Sequence, residues 1–429
     1  MPTDRTSISH NSMHQKFLAL LFAALCLLSP SLARALPPGV GSVPLSVMPP
    51  HPVAIKAAKL LGDCLTLLYE KSSDTDTQYY DSGIWHAKND TVNWASNVGV
   101  GTAAATLWKW QDYRLSTGTL PPELAAQATP DKQAWLHRIA VETMDRMLQD
   151  HQNPDGSLGV PDKPETYFAS LELAVTDRTL GDSLDAATQT RWKTALTRAI
   201  DYLVTSTNLP NPALTGWKAT DGWYTNGNIE LGESTLLYLT WQITGDPKYQ
   251  SLFSTQWHHT LTPDPVRWPG FGLVIEKAPT RDDGSDGIGY MAESGPDRKP
   301  GFDPGYAEFS TTIAARFYAL TGFPGALRVL NLSLNKLLPR VDQTTWVLDA
   351  TNGTRHSLKY PFADSGLPVT AWTGDRPEYL PLLDAQFDLA AKPEYHGNAF
   401  QNWGSPGLYR GYGCNLATFL LADMPRLPG

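Results

Sequence analysis

Aromatic, amide and carboxylate side chains are concentrated in one turn of the sequence, residues 221–233, which leads directly into an apolar helical segment. Trp223 and Tyr224 offer flat faces on which a sugar ring can stack. Asn226 adds an amide that can hydrogen-bond to hydroxyl or carboxylate groups. A turn of this composition, held by a helix behind it, is typical of a carbohydrate-binding cleft.

Two further loops of similar composition follow, at 257–271 and 281–306. They supply imidazole, guanidinium, carboxylate and phenol groups from His258, His259, Arg267, Trp268, Arg281, Asp282, Asp283, Asp286, Tyr290, Glu293, Asp303, Tyr306 and Glu308. We predict that one cleft gathers these loops. Its predicted substrate-binding residues are Asn93, Trp94, Trp223, Tyr224, Arg267, Trp268, Tyr306 and Trp403.

Four of the cleft residues fit the cleavage of an acidic polysaccharide by β-elimination. An amide or a cation must neutralise the sugar carboxylate so that the proton at C5 becomes acidic. A Tyr or His must remove that proton, and a Tyr must protonate the leaving oxygen. Asn226, His258, Arg281 and Tyr290 are of the right types and occur in the right order, and they are the predicted catalytic residues.

Hydrolysis of a glycosidic bond is the alternative reaction, and it requires two carboxyl groups. The loops offer Asp221, Glu230, Glu233, Asp303 and Glu308 for this role. A glycan-binding protein without activity is a third alternative, since it would keep the loop Trp residues and need no base.

The order of these residues resembles that of the toroidal polysaccharide lyases of the alginate, glucuronan and chondroitin lyase type. The similarity extends over residues 96–338. It consists of the Trp/Tyr-rich loop that carries Asn226 and opens a helix, then a His, then Arg281 and Tyr290. The resemblance implies an (α/α) barrel in which Asn226 neutralises the carboxylate and Tyr290 acts as base and acid, supported by Arg281 and His258.

One position departs from the alginate lyase pattern. Gly227 follows Asn226, where a His often follows in that type. The identity of the base therefore stays open between Tyr290 and three substitutes, namely Tyr224, His259 and Tyr306.

Several of the same residues also fit purely structural roles. Asn226 and Gly227 form a favourable turn dipeptide, and Asn228 suits the N-cap of the following helix. Asp303 followed by Pro304 is a strong helix start. The acidic, Gly-containing loop 281–287 suggests calcium, but it lacks the closing Glu of an EF-hand. We predict no cofactor and no metal site, with calcium as a minor alternative.

Helical periodicity recurs along most of the chain, which predicts an all-α fold. Helices are predicted at 52–70, 96–113, 130–151, 167–180, 185–205, 228–244, 306–321, 324–338 and 408–424. Turns at Gly245 and Gly322, each followed two residues later by Pro, join one helix to a second, shorter one. Repeated helical hairpins of this kind predict an (α/α) toroid, an incomplete α/α barrel.

Strand signals are confined to short segments, at 272–276, 345–348 and 357–360. The Gly/Pro-rich stretch 363–404 shows weak periodicity, and we predict that it wraps over the mouth of the barrel. No firm domain boundary is visible after residue 35.

The first 35 residues predict a secretory signal peptide, with basic residues, an apolar run at 17–28 and a small-residue cleavage site. The apolar run is too short to cross a membrane. We expect a secreted or periplasmic protein whose residues 36–429 form a single catalytic domain. Cys64 and Cys414 would remain in it, either as a disulfide or as two buried thiols.

The charge composition limits the classes of macromolecule that this protein is expected to bind. A net charge of −9 argues against nucleic acid. An anionic polysaccharide stays compatible, because a local cluster of Arg, Lys or His can outweigh the global sign at short range. We predict an acidic polysaccharide substrate and no membrane, while the sequence carries no indication of the oligomeric state.

Overall fold

The computed structural model describes residues 49–71, 78–81, 84–87, 94–159, 163–205, 227–261, 272–294, 300–345, 347–361, 376–390 and 414–424. The predicted signal peptide lies outside these residues. Eleven α-helices are present in the described part of the chain, and none combines the length and apolar character of a membrane span. They are α1 (Pro52–Lys71), α2 (Trp94–Ser116), α3 (Pro130–His151), α4 (Lys163–Leu180), α5 (Ala186–Thr205), α6 (Gly227–Thr244), α7 (Pro247–Leu261), α8 (Pro304–Thr321), α9 (Pro324–Leu337), α10 (Leu380–Ala390) and α11 (Cys414–Ala422).

Every second helix from α2 to α8 belongs to an inner ring. Helix α2 packs on α4, α4 on α6, α6 on α8, α8 on α11, and α11 on α2, so that these contacts form a closed cycle. Outside this ring, α3 packs on α2, α5 on α4, α7 on α6, and α9 on α8, while α1 packs on α11 and α2. This alternation of inner and outer helices confirms the predicted (α/α) toroid.

The inner helices begin at one rim of the toroid. Trp110 and Arg114, near the end of α2, contact Asp423, just after the end of α11, so these two helices run parallel. Inner helices lead to outer ones through short turns, such as Gly245–Asp246 and Gly322–Phe323. The return connections are longer, and each ends at the start of an inner helix. The connections that precede α6 and α8 therefore end at the rim where the inner helices begin.

Short strands lie in the connections between the helices. Strands β1 (Gln78–Asp81) and β2 (Ile84–Ala87) form a hairpin, as do β3 (Leu273–Lys277) and β4 (Ile288–Met291), and β5 (Glu293–Ser294) pairs with β6 (Pro300–Gly301). Strands β7 (Val341–Asp342), β8 (Val347–Asp349) and β9 (Lys359–Pro361) form an antiparallel sheet in that order. All pairings are antiparallel, and β3 has a bulge between Ile275 and Lys277.

The predicted helices agree with the structure wherever the apolar pattern is long. Helices α3, α5, α6, α8 and α9 match their predicted bounds to within two residues. No helix is predicted within the weakly periodic stretch 363–404, but residues 380–390 of it form α10. This short helix packs on α1: Leu383 is fully buried, and at the surface Lys56 pairs with Asp384 at 2.5 Å and with Asp388 at 2.7 Å. Such a long-range contact leaves no local signal.

Close packing between two inner helices depends on a glycine, which has no side chain. A Cβ atom on Gly232 of α6 would overlap the ring of Tyr167 on α4. Tyr167 is fully buried, and so is Trp192 on α5. The apolar core therefore fills the space between the inner and outer helices.

A buried ion pair crosses the centre of the toroid. Arg316 of α8 donates two hydrogen bonds of 2.7 Å to the carboxylate of Glu172 on α4. Thr102 of α2 donates a third, of 2.6 Å, to the same carboxylate. One acidic side chain thus connects three inner helices, and this bidentate geometry favours a single arrangement of the ring.

The other end of α4 yields a pH-dependent prediction. Asp177 lies in the last turn of α4, where the helix dipole disfavours a negative charge. Burial raises the pKa of Asp177 from 3.8 to about 6, although Arg178 and Lys193 oppose this shift. Because the folded state holds the proton more tightly than the unfolded state, stability is lost as pH rises from 3.8 to about 6. Asp177→Asn should therefore raise the unfolding free energy at pH 7 by about 1–3 kcal/mol.

Denaturant unfolding at several pH values checks this prediction. The gain should vanish near pH 4, where the carboxyl group is protonated in both states. Asp112→Asn, at an exposed position of α2, serves as the control and should change little at either pH. An Asp177→Asn gain of equal size at both pH values would contradict the assignment.

Candidate active site

Residues within and next to the paired strands β5 and β6 cap two neighbouring inner helices at the rim. The backbone N–H of Gly227 donates to the carbonyl of Ala292 at 2.7 Å, and that of Asn228 donates to Glu293 Oε1 at 3.1 Å. After β6, Asp303 accepts from the backbone N–H of Tyr306 at 3.0 Å. The starts of α6 and α8 are thereby bound to the same piece of chain.

These helix caps agree only in part with the caps that the sequence predicts. Asp303 is the N-cap of α8 with Pro304 at the first helical position, as predicted. The prediction that Asn228 is the N-cap of α6 was wrong, because the helix already begins at Gly227. The Asn228 side chain accepts from the N–H of Ile229, and the acceptor for the helix start comes instead from Glu293, which is remote in sequence.

Asp303 is the centre of the polar cluster at this rim. Its side chain is fully buried and accepts four hydrogen bonds. Besides Tyr306, the donors are the backbone N–H of Arg355 at 2.7 Å and of His356 at 2.8 Å, and the ring Nδ1 of His356 at 2.6 Å. Burial raises the pKa of Asp303, but these hydrogen bonds outweigh it and bring the pKa down to about 2.

This ionised carboxylate determines how the His356 imidazole is oriented. A carboxylate only accepts hydrogen bonds, so the Nδ1 atom of His356 carries the proton that joins them. The Nε2 atom of the neutral ring then presents a lone pair and can accept a proton. Roughly a third of the His356 side chain is accessible to solvent (36%). The Asp303–His356 pair therefore has the arrangement of an oriented general base.

A phenol and a cation lie beside this base. The Tyr306 ring centre is 5.1 Å from that of His356, and the Arg355 guanidinium carbon lies 4.8 Å from the Tyr306 ring centre. Burial raises the pKa of Tyr306, as does Asp303, whereas Arg355 lowers it. The net shift is upward, so the phenol is protonated at neutral pH and can act as a proton donor.

The loop that carries these groups lies close to the α8 start because of a glycine. The β8–β9 connection passes over Asp303, and a Cβ atom on Gly353 would lie 2.7 Å from Asp303 Oδ2. Asn352, just before it, adopts a left-handed conformation with φ of 63°. Asn and Gly are the residues that tolerate such a tight turn. The turn directs Arg355 and His356 back to the rim.

Of the predicted catalytic residues, Tyr290 lies near this cluster. It is a half-buried residue of β4, and its ring packs at 5.3 Å from that of Phe302, the neighbour of Asp303. The Lys336 ammonium group is 5.7 Å from the Tyr290 ring centre. Burial and Glu276 raise the pKa of Tyr290, so this phenol too is protonated at neutral pH.

Arg281 and His258 lie elsewhere on the surface. Arg281 is exposed in the β3–β4 connection and pairs with Asp283 at 3.1 Å. His258 is exposed on α7, in a shallow groove lined by Pro247, Gln250, Ser251, Ser254 and Thr255. The opposite face of α7 packs on α6, through the bonds of Gln256 with Glu230 and of Thr260 with Ser234. The described structure thus assigns neither residue to the Asp303 cluster.

Most other predicted residues fall outside the described part of the chain. These are Asn226, Asn93, Trp223, Tyr224, Arg267, Trp268 and Trp403. Trp94 is the first residue of α2, but its side chain is not described. The same holds for the side chains of Cys64 and Cys414, so their predicted disulfide stays a prediction. Tyr306 is the one predicted substrate-binding residue whose side chain is described, and it belongs to the cluster.

The acidic loop 281–287 uses its carboxylates to stabilise its own turns. Asp286 accepts from the backbone N–H groups of Thr280 and Arg281 at 3.0 Å each, and Asp283 accepts from Ser285 N–H at 3.0 Å. Among the described residues, no three His, Cys, Asp or Glu side chains come together as a metal site requires. Calcium at this loop remains a prediction.

Sequence reasoning missed two members of the cluster, Arg355 and His356. Only one local signal points to them: a basic pair directly after a Thr-Asn-Gly-Thr turn, between two short strands. Glu293 was noted among the loop carboxylates, but its partner could not be inferred because Asn228 lies 65 residues away.

Comparisons with known proteins add general similarity only. No protein-family model and no curated protein matches the sequence. Among solved structures, the chain is similar to a family 76 glycoside hydrolase from a bovine Bacteroides thetaiotaomicron strain, with 12% identity, 86% of this chain and 77% of that chain covered, and a TM-score of 0.41. It is also similar to a D-mannose isomerase, with 12% identity, 83% and 96% covered, and a TM-score of 0.41. At these values neither similarity indicates which reaction this chain catalyses.

Proposed function

We propose that this protein is a carbohydrate-active enzyme that cleaves a uronic-acid-containing polysaccharide by β-elimination at the rim where the inner helices begin. The observation that carries the proposal is the Asp303–His356 pair beside Tyr306 and Arg355. Eliminative cleavage needs a base, an acid and a positive or amide group for the substrate carboxylate. This cluster supplies all three types within one partly exposed group.

The residues divide the reaction as follows. Arg355 pairs with the uronate carboxylate and stabilises the negative charge that develops when the C5 proton leaves. His356 Nε2 takes that proton while Asp303 stabilises the imidazolium that forms. The electron pair of the C5–H bond forms the C4–C5 double bond, and the C4–O bond breaks. Tyr306 gives its proton to the leaving oxygen.

The loops outside the described residues complete the proposed cleft. Asn226 immediately precedes the capped start of α6 and is proposed as the amide that shares the carboxylate with Arg355. Tyr290 is a second candidate for the phenol. Trp223, Trp268 and Trp403 are proposed as stacking platforms for sugar rings. We further propose that the protein is secreted or periplasmic and needs no organic cofactor.

Hydrolysis is the second candidate, because two neighbouring carboxyl groups of the site have opposite pKa shifts. Burial raises the pKa of Glu293 well above 4.5, while Asp303 has a pKa of about 2. A carboxyl group with a raised pKa suits the role of general acid, and one with a lowered pKa suits the role of base or nucleophile. Both carboxyl groups are fully buried, however, and both oxygens of Asp303 already accept hydrogen bonds. The described geometry therefore favours elimination.

Incubation of the purified protein with alginate, glucuronan, hyaluronan, chondroitin and pectate tests the proposal. Elimination creates a conjugated double bond that absorbs in the ultraviolet, whereas hydrolysis creates reducing ends without it. We expect ultraviolet absorbance to rise with one of these polymers. New reducing ends without that absorbance would replace elimination by hydrolysis, and the absence of both on all acidic polymers would overturn the proposal.

A further inference from the structure

Glu293 occupies an unusual position for a carboxyl group. Its side chain is fully buried, with 0% exposure of the residue. Oε1 accepts one hydrogen bond, from the backbone N–H of Asn228 at 3.1 Å, and Oε2 has no hydrogen-bond partner among the described residues. A buried carboxylate with a single neutral donor is strongly disfavoured relative to a neutral carboxyl group.

The charged groups around Glu293 do not reverse this preference. They are Asp303, before α8, and Arg355, in the β8–β9 connection, while α6 contributes only its N-terminal N–H groups. Burial raises the pKa of Glu293 and Asp303 raises it further; the Asn228 hydrogen bond and Arg355 lower it, and the net shift is strongly upward. Arg355 itself is exposed and lies over Tyr306.

The backbone next to Glu293 is fitted closely to the start of α6. A Cβ atom on Gly227 would lie 2.8 Å from the Cβ of Met291 and 2.9 Å from the carbonyl oxygen of Ala292. The N–H of Gly227 donates to that same carbonyl at 2.7 Å. The helix start therefore rests directly on the strand, and Glu293 extends this contact by one residue.

We propose that Glu293 is a positioning residue of the active site: as a neutral carboxyl group, it fixes the start of α6, the helix that Asn226 precedes in the sequence, to β5, whose partner strand β6 leads to Asp303. This inference rests on the proposed function for the role of Asn226. The acceptor oxygen of Glu293 reaches the N–H of Asn228, which the backbone carbonyl of Ala292 does not, because that carbonyl accepts from Gly227. Glu293 thereby links the start of α6 to the same connection that ends at the start of α8.

The variants Glu293→Gln and Glu293→Ala test the structural half without any substrate. Gln has the shape of a protonated Glu and keeps the acceptor oxygen, whereas Ala removes it. Hydrogen exchange of the peptide that contains Gly227 and Asn228 should be unchanged in Glu293→Gln and at least about tenfold faster in Glu293→Ala. Equal exchange in Glu293→Ala and wild type would overturn the proposal.

The pH dependence of stability tests separately whether Glu293 is neutral. Because the folded protein would hold the proton more tightly than the unfolded chain, the folding equilibrium constant of the wild type should fall by up to about tenfold per pH unit above pH 4.5, relative to Glu293→Gln. Parallel stability profiles for the two proteins would show that Glu293 is ionised and would overturn the proposal. Glu123→Gln, at an exposed position, is the control for a general charge effect.

Activity then tests the link to the site. Glu293→Gln should keep kcat/KM within about threefold of the wild type, whereas Glu293→Ala, still folded, should lose about 10²-fold, because small displacements of a catalytic group are costly. If hydrogen exchange behaves as expected but Glu293→Ala cleaves polymer normally, the positioning role is wrong. If the wild type itself cleaves no acidic polymer, the proposed function fails, while the exchange and stability results still decide whether Glu293 is the neutral support of α6.

Discussion

Replacing His356 by Ala should lower kcat for polymer cleavage by about 10²–10⁴-fold, which is the range that a general base contributes. The physical reason is the bond of 2.6 Å between Asp303 and Nδ1, which leaves Nε2 as the proton acceptor. KM should change far less than kcat, because the imidazole acts on the proton in the transition state. Initial rates from the ultraviolet absorbance of the product provide the measurement.

A second histidine offers a matched control. His258→Ala removes the same group from an exposed position on the outer helix α7, and we expect cleavage within about twofold of the wild type, as for a side chain that makes no contact with the reacting atoms. Asp303→Asn should reduce kcat as well, because an amide can donate to Nδ1 and so favour the wrong tautomer. A large loss in His258→Ala together with normal cleavage by His356→Ala would contradict this assignment and favour the site predicted from the sequence, in which His258 supports Tyr290.

Replacing Asp423 by Ala should lower the free energy of unfolding by about 3–5 kcal/mol, because it removes the carboxylate that pairs with the buried Arg114 charge. Asp423 accepts from Arg114 at 2.5 Å, from the Trp110 indole at 2.8 Å and from the His51 N–H at 3.4 Å. The side chains of Arg114 and Asp423 are only 3% and 1% exposed. This one carboxylate joins α11, α2 and the residue that precedes α1, at the point where the ring closes.

Denaturant unfolding monitored by circular dichroism measures this loss. Removing both charges, with Arg114→Met and Asp423→Leu together, should cost less than Asp423→Ala alone, since no buried charge is then left unpaired. Arg191→Ala is the comparison, because its pair with Asp145 lies on the surface and should contribute only about 0.2–1 kcal/mol. A similar small loss for Asp423→Ala would mean that the ring closure does not depend on this cluster.

His356 and Asp423 belong to different parts of the same architecture. The ring is held by buried polar contacts between helices, with Asp423 at its closure and the Glu172–Arg316 pair at its centre. The groups of the proposed active site come from the connections at one rim, where Asp303 joins the start of α8 to the β8–β9 loop. Rigid helices below and variable loops above are a common basis for catalytic sites.

Local patterns were enough to predict most of the helices, although not α10. The start of α8 depends on Asp303 and Pro304, and its end on Gly322, whose φ of 68° gives the left-handed turn that stops the helix. These interactions join residues within one turn of the helix, so they leave a readable signal. The alternation of longer and shorter helices, joined by tight turns, then led to the toroid.

The sequence by itself therefore determined the helical fold and its alternation of helical hairpins, while Tyr306 was already a candidate for the site. Only the tertiary structure decided which side chains meet there. His356 and Asp303 are 53 residues apart, and Glu293 and Asn228 are 65 apart. Periodicity reports on neighbours within a few residues, whereas these contacts depend on how loops from separate hairpins fold over the ring. His258 and His356 are alike as residue types, and their difference in exposure and partners exists only in three dimensions.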